Sequence, residues 1–345
     1  MKKILVTGGC GFIGFHLVRA LAGFDFKITA LDSINSYYDQ DLKYRRLEEL
    51  GIRKTELSDN RMIKSALFPD VEFIKLDTAD KRSLDNLFEE KKFDIICHLA
   101  AQAGVQYSLI NPQAYIDSNI TGFLNILESC RAYGPKKLVY ASSSSVYGNN
   151  VKQPFSESDR TDSQVSMYAA SKKCNELMAG VYDSLYRVKS IGLRFFTVYG
   201  PWGRPDMAYF KFVKKILNRE PIEVYNNGIM KRDFTYIDDI TEGIVRIIAS
   251  FAGKEDEDGK SGIYNIGRGR PEGLLSFIEI IEKNLALKAI KKYLPFQIGD
   301  VEETFADVSR LGKEFGYKPQ TNLEEGIKEF VKWYRDYNSE DSTGR

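Results

Sequence analysis

The chain has 345 residues, with 49 Lys and Arg against 48 Asp and Glu and a formal net charge of +1. Such a balance gives no global field to draw nucleic acid or an anionic membrane, so an anionic ligand has to be held by a few placed cations and backbone N–H groups. The composition, 43% hydrophobic and 28% charged, is that of a globular protein of about two domains.

Ile4–Val6 predicts a short apolar strand that runs into a Gly-rich turn, and Phe12 to Ala22 predicts a helix. Lys27 to Leu31 predicts a second strand, ending at Asp32. Residues 38–68 are polar with helical spacing at Leu42, Leu47 and Leu50, an insertion expected to lie over the sheet. Val71 to Leu76 predicts a strand ending at Asp77, Leu84 to Phe88 a helix, and Asp94 to Leu99 a buried strand. Pro112 to Tyr133 predicts a long helix, Lys137 to Ala141 a strand leading into four serines, Ser166 to Tyr186 a second long helix, and Ile191 to Phe195 a strand. Strands alternating with helices imply parallel βαβ units in a Rossmann-type doubly wound α/β sheet, with ligands at the carboxyl ends of the strands.

After about residue 197 prolines and short runs take over. The expected organisation is a dinucleotide domain over 1–195 that regains the segment near 233–265. A smaller α/β substrate domain then takes 196–232 and 266–337, and 338–345 is a polar, frayed tail. Residues 252–262 read as a charged surface loop. The cysteines at 10, 97, 130 and 174 have no CxxC spacing, and His16 and His98 sit in apolar runs, so neither a zinc site nor a disulfide scaffold is expected. No stretch reaches the ~18 apolar residues of a spanning helix. The expected location is the cytoplasm, with no membrane insertion.

Residues 7–14 read Thr-Gly-Gly-Cys-Gly-Phe-Ile-Gly. Gly8, Gly11 and Gly14 follow a strand and open a helix, the context in which glycines permit close approach of a pyrophosphate to the helix N-terminus. A Gly-rich turn without a ligand has the same composition. Asp32 at the end of the second strand suits the two ribose hydroxyls of adenosine and would repel a 2′-phosphate, which favours NAD over NADP. Asp77-Thr78 suits either the adenine edge or a simple turn cap.

Tyr168-Ala-Ala-Ser-Lys172 lies on a predicted helix, where positions i and i+4 share a face. A tyrosine with a pKa of ~10 needs a neighbouring cation to serve as a base near neutrality, and the Lys172 ammonium and the positive nicotinamide are both expected to favour the phenolate. Ser142–Ser145 follows a strand at the place where it should meet the reacting end of the dinucleotide. A solvated helix face and a polar loop are the plain alternatives for these two motifs.

With these pieces together the chain resembles the extended short-chain dehydrogenase/reductase family, and within it the nucleotide-sugar epimerases. The matching segments are TGGCGFIG at 7–14, HLAAQAGV at 98–105, SSSSVYG at 142–148, YAASK at 168–172 and RDFTYIDD at 232–239. LRFFTVYGPWGRPDMA at 193–208 is similar to the UDP-glucuronate 4-epimerases in particular; Thr197-Val198 stands where galactose-type epimerases have Asn-Pro. Sugar dehydratases of the family have Thr-Asp-Glu before VYG, and the decarboxylases have a Glu there. This chain has Ser143-Ser144-Ser145.

The resemblance implies bound NAD, held by Gly8, Gly11, Phe12, Ile13, Gly14, Asp32, Asn35, Asp77, Thr78, Leu99, Ala100, Ala101, Gln102, Tyr168 and Lys172. It implies a UDP-sugar held by Ser143, Ser144, Ser145, Thr197, Arg204, Met207, Val224, Tyr225, Arg232, Gln297 and Asp300. Tyr168 would take the proton of the C4 hydroxyl while NAD takes the hydride, Ser143 would assist, and Lys172 would orient the ribose. Hydride return to the other face of the 4-keto sugar would complete a C4 epimerisation. The 4-keto form of a glucuronate is a β-keto acid, so Ser144, Ser145 and Thr197 are expected to hold its carboxylate, with Arg204 positioning the Thr197 loop. Gln106 and Gln297 depart from arginines common in relatives, each removing a candidate cation. The helices at 112–133 and 166–188 are expected to pair with a second copy, by analogy. The alternatives are a 4-epimerase of a neutral UDP-hexose, a non-catalytic NAD-binding sensor, and a net dehydrogenase.

Overall fold

The computed structural model describes residues 1–253, 260–296 and 301–342. Its first half builds β1 (Lys2–Thr7), α1 (Phe12–Leu21), β2 (Phe26–Asp32), α2 (Gln40–Glu49), β3 (Met62–Lys64), β4 (Val71–Lys75), α3 (Lys81–Lys91) and β5 (Ile95–His98). Three helical pieces follow, α4 (Val105–Ile110), α5 (Gln113–Tyr115) and α6 (Gly122–Tyr133), then β6 (Lys137–Ser143), α7 (Met167–Tyr186) and β7 (Lys189–Phe195). The second half adds β8 (Thr197–Tyr199), α8 (Ala208–Leu217), β9 (Ile222–Val224), β10 (Lys231–Tyr236), α9 (Ile237–Ala252) and β11 (Gly262–Ile266). It ends with β12 (Pro271–Gly273), α10 (Leu274–Leu285), β13 (Lys291–Tyr293), β14 (Glu303–Thr304), α11 (Ser309–Phe315) and α12 (Leu323–Ser342).

The main sheet runs β11-β7-β6-β5-β1-β2-β4-β3 and is parallel except for the β3–β4 edge pair. Its strands are continuous apolar runs because both faces are covered. Along β1, Ile4 and Val6 point into one core, with α1 and α9, while Leu5 points into the other, with α3, α6 and α7; all three are 0% exposed. The chain leaves β1 for β2 on one side and later returns on the other to β5, so β1 and β5 flank the switch point where such sheets bind ligands. A separate small sheet pairs β10 with β8, β12 and β14, and β9 pairs with β13.

The alternating elements are where the sequence pattern puts them, with three differences. The 38–68 insertion contributes β3 to the sheet edge as well as α2. The long helix predicted from Pro112 contains a π-helical turn at Ile116–Thr121. The tail expected to fray from Asn338 continues α12 to Ser342 instead.

Candidate active site

The dinucleotide loop is shaped by sterics. Gly8 has φ +72, and a Cβ on it would lie 2.8 Å from the Ala100 nitrogen. A Cβ on Gly14 would lie 2.0 Å from the Gly8 oxygen, so no larger residue fits there without moving the loop. Gly11 caps α1 with no side-chain hydrogen bond, so no side chain competes for the first-turn N–H groups. A glycine cradle at a helix N-terminus fits a pyrophosphate. Asp32 ends β2 and is oriented by two amides, accepting from Ile34 N at 2.9 Å and Cys10 N at 3.3 Å. Beside it, the buried Lys43 donates to the Asn35 carbonyl and side-chain oxygen, both at 2.7 Å; burial lowers its pKa despite the attraction of Asp32. Asp77 caps its own turn, accepting from Ala79 N at 2.9 Å.

The loop after β5 is pinned by Asn119, from the π-helical turn. Its side chain accepts from Gln102 N at 2.8 Å and donates to Gln102 O at 3.0 Å and Ser171 Oγ at 2.9 Å. Ser171 precedes Lys172 on α7, so one buried amide ties the Leu99–Gln102 loop to the Tyr168 helix. A π-bulge at such a place is common near functional sites.

Ser166 caps α7 by accepting from Ala169 N at 3.1 Å. This fixes the first turn, and Tyr168 and Lys172 both face the cavity one turn apart. Lys172 donates to Ala141 O at 2.8 Å, and burial lowers its pKa to about 7. Burial also raises Tyr168, opposed by the Ser143 hydroxyl and the Arg204 guanidinium. Ser143 and Arg204 both favour the phenolate. Ser143 ends β6 and accepts from Ser145 N at 3.2 Å.

The opposite wall follows β7. Thr197 opens β8, paired with Phe234 of β10. Arg204 donates through Nε to Asp206 at 3.0 Å, and Asp206 also accepts from the Tyr37 hydroxyl at 3.1 Å. Burial tends to raise Asp206, but Arg204 and Tyr37 hold it below the usual carboxylate range. Tyr37 is pushed up to about 12, by burial first and then by Asp206. Its ring lies 4.8 Å from that of Tyr107. Arg204 thus faces the site already paired.

One cavity of about 580 Å³ joins these walls. It is lined by Gly8, Gly11, Phe12, Ile13, Gly14, Asp32, Asn35, Asp77, Thr78 and Leu99–Gln102 along the dinucleotide side. Ser143–Ser145, Tyr168, Lys172, Thr197, Arg204 and Met207 line the other end. Val224, Tyr225 and Arg232 are not among its lining residues. Val224 is buried in the core and its carbonyl accepts from Leu294, while Tyr225 donates to Glu223. Arg232 donates to the carbonyls of Lys231 and Glu302. Gln297 and Asp300 lie outside the described residues. In the RDF segment it is Asp233 that is fully buried, accepting from the amides of Arg268, Gly269 and Ala306.

Residues absent from the sequence reading also line the cavity: Tyr37, Tyr38, Lys43, Tyr107, Asp206 and Lys211. Lys211 was findable, one helical turn after Met207. Tyr37, Tyr38 and Asp206 lie in loops, which carry no periodic signal, and Lys43 and Tyr107 sit on short helices whose spacing does not mark them out. No group of three or more His, Cys, Asp or Glu that could hold a metal occurs among the described residues.

Residues 4–267 match the NAD dependent epimerase/dehydratase family. The chain is 52% identical over 335 residues to an uncharacterized protein of Methanocaldococcus jannaschii, covering 96% of each. It is 44% identical to UDP-glucuronate 4-epimerase 1 of Arabidopsis thaliana over 97% of this chain and 77% of that protein. Among solved structures, the UDP-glucuronic acid 4-epimerase from Bacillus cereus, in complex with UDP-glucuronic acid and NAD, superposes with a TM-score of 0.85 at 30% identity, covering 97% of this chain and 99% of that one. The glycine cradle, the Tyr168–Lys172 face and these likenesses agree, and the chain belongs to the NAD dependent epimerase/dehydratase family.

Proposed function

We propose that the chain is an NAD-dependent UDP-glucuronate 4-epimerase, giving UDP-galacturonate. The observation that carries this reading is a single cavity in which Tyr168, Lys172, the Ser143–Ser145 run, Thr197 and Arg204 surround one end of a glycine-lined groove. The likeness to epimerases from A. thaliana and B. cereus supports it.

NAD, when bound, supplies a transient acceptor for the sugar C4 hydride. Gly8, Gly11, Phe12, Ile13 and Gly14 hold its pyrophosphate by backbone N–H groups. Asp32 and Asn35 take the adenosine ribose, Asp77 and Thr78 the adenine edge, and Leu99–Gln102 the inner side. Tyr168 removes the proton of the C4 hydroxyl and later returns it. Ser143 shares that proton's hydrogen bond, and Lys172 holds the ribose beside it. Ser144, Ser145 and Thr197 hold the carboxylate so that its bond to C5 stays out of line with the C4 carbonyl π system, which suppresses loss of CO₂. Arg204 positions the Thr197 loop, and Met207 closes the rim. The uridine end is assigned, on the family pattern, to Val224, Tyr225, Arg232, Gln297 and Asp300.

By the same reading, residues 1–195 with the segment near 233–265 form the dinucleotide half, and 196–232 with 266–337 the sugar-nucleotide half. The active form is a homodimer. In α7, Leu177, Val181 and Leu185 recur at helical spacing and are 60%, 51% and 65% exposed, an apolar stripe suited to a second copy.

The test of substrate is kcat/KM for UDP-glucuronate against UDP-glucose and UDP-N-acetylglucosamine. A preference on the order of 100-fold for the acid is expected, since polar groups built for a carboxylate are left unpaired by a hydroxymethyl. Equal or reversed preference moves the chain to the neutral-sugar epimerases.

A further inference from the structure

Arg46 on α2 is 0% exposed, and it donates to main-chain carbonyls and one tyrosine. A guanidinium has five N–H donors. Here each one is used: Nε and one Nη2 donor reach Trp202 O at 3.1 and 2.6 Å, the other Nη2 donor reaches Gly203 O at 3.1 Å, and the two Nη1 donors reach Cys10 O at 2.9 Å and the Tyr38 hydroxyl at 2.8 Å. Cys10 lies in the glycine loop. Trp202 and Gly203 immediately precede Arg204. The side chain therefore ties the dinucleotide loop to the turn that presents the sugar-facing arginine.

That turn needs holding. Trp202 has φ +59, a left-handed conformation unfavourable for a bulky residue. Its indole is wedged against Phe15 and Trp333, with ring centroids at 5.7 and 5.3 Å. The next amide, Arg204 N, donates to the Tyr209 hydroxyl at 3.2 Å. Arg46 gathers the two carbonyls that such a turn directs to one side. A lysine, with three donors and no planar fork, cannot satisfy the same acceptors.

We infer that Arg46 is a positioning residue for the sugar end of the site: by fixing the Trp202–Arg204 turn to the glycine loop, it sets where the sugar carboxylate lies relative to C4. This rests on the UDP-glucuronate reading above. It predicts that disturbing Arg46 changes which product is released, because a carboxylate allowed to swing into line with the C4 carbonyl leaves as CO₂.

The experiment uses the full-length chain with Arg46→Lys, and Tyr38→Phe as a milder change that frees one Nη1 donor and keeps the guanidinium. Calorimetry gives the affinities for UDP-glucuronate and for UDP alone, absorbance gives bound NAD, and NMR gives the products from UDP-glucuronate. The expected result is retained NAD, UDP affinity within about twofold, and UDP-glucuronate affinity lowered roughly tenfold, as for loss of one hydrogen bond to a charged group. UDP-pentose and CO₂ should appear beside UDP-galacturonate. Folded variants with unchanged product ratio and UDP-glucuronate affinity overturn the inference. So do variants that lose NAD, UDP and UDP-glucuronate in step, which is what a merely structural role gives. If Arg46→Lys does not fold, Tyr38→Phe decides by the same criteria. A wild-type chain that makes no UDP-galacturonate defeats the functional reading instead, and the affinity for UDP-glucuronate relative to UDP still judges Arg46.

Discussion

Tyr168 sits where burial alone would leave it a poor base, and Ser143 and Arg204 draw it toward phenolate. Tyr168→Phe is expected to lower kcat by ~10²–10⁴, the usual worth of a positioned acid/base, with KM nearly unchanged in steady-state assays. Gly14→Ala drives a methyl to 2.0 Å from the Gly8 oxygen, so the purified variant should carry no NAD by absorbance. Thr197→Ala removes one hydrogen bond to a carboxylate, worth ~1.5–3 kcal/mol, and should raise KM for UDP-glucuronate by at least about tenfold while leaving UDP affinity intact. An unchanged KM would remove Thr197 from carboxylate recognition.

Elements explain what the motifs alone do not. On α7, Glu176 lies one turn beyond Lys172 and accepts from Arg194 Nε and Nη2, both at 2.8 Å, and from Ser142 Oγ at 2.6 Å. This buried pair locks the carboxyl ends of β6 and β7 to the helix. Glu176→Gln leaves the guanidinium without its counter-charge and should destabilise the fold by ~3–5 kcal/mol in denaturant melts. A loss under ~1 kcal/mol would mean that water reaches the pair. Most of the sheet was readable because parallel strands covered on both faces are unbroken apolar runs that end in polar landmarks such as Asp32 and Ser143. The edge strand Met62–Lys64 was not, being three residues within a polar insertion. The π-helical turn carrying Asn119 was hidden too, since helical spacing does not report a local change of hydrogen-bond period. The Tyr37–Asp206 and Arg46–Trp202 pairs form only through tertiary contacts of residues 37–46 with the 201–207 loop, and single-sequence patterns carry no signal for such pairings.

At the scale of the molecule, one surface and one titration matter. No described helix is long and apolar enough to cross a membrane. The proposed pairing through the exposed stripe on α7 predicts a dimer for the wild-type chain and a monomer for Leu177→Glu in light scattering; a monomeric wild type would contradict it, and an unchanged mass of the variant would argue for another interface. His98 is 3% exposed and held to a pKa of about 3, by burial first and then by Lys172. Its folded pKa is below the unfolded ~6.5, so between these values the unfolded chain binds the extra proton and stability falls as pH drops. The slope should approach ~1.4 kcal/mol per pH unit from this group, and His98→Gln should flatten it. On the proposed reading the cavity oxidises and re-reduces a single sugar carbon with a cofactor it retains. The most direct measurement is NMR of UDP-glucuronate incubated with the purified chain and no added NAD. The account predicts UDP-galacturonate approaching a constant ratio with its substrate. UDP-xylose or UDP-arabinose with CO₂, or turnover only when NAD is supplied in stoichiometric amounts, would contradict it.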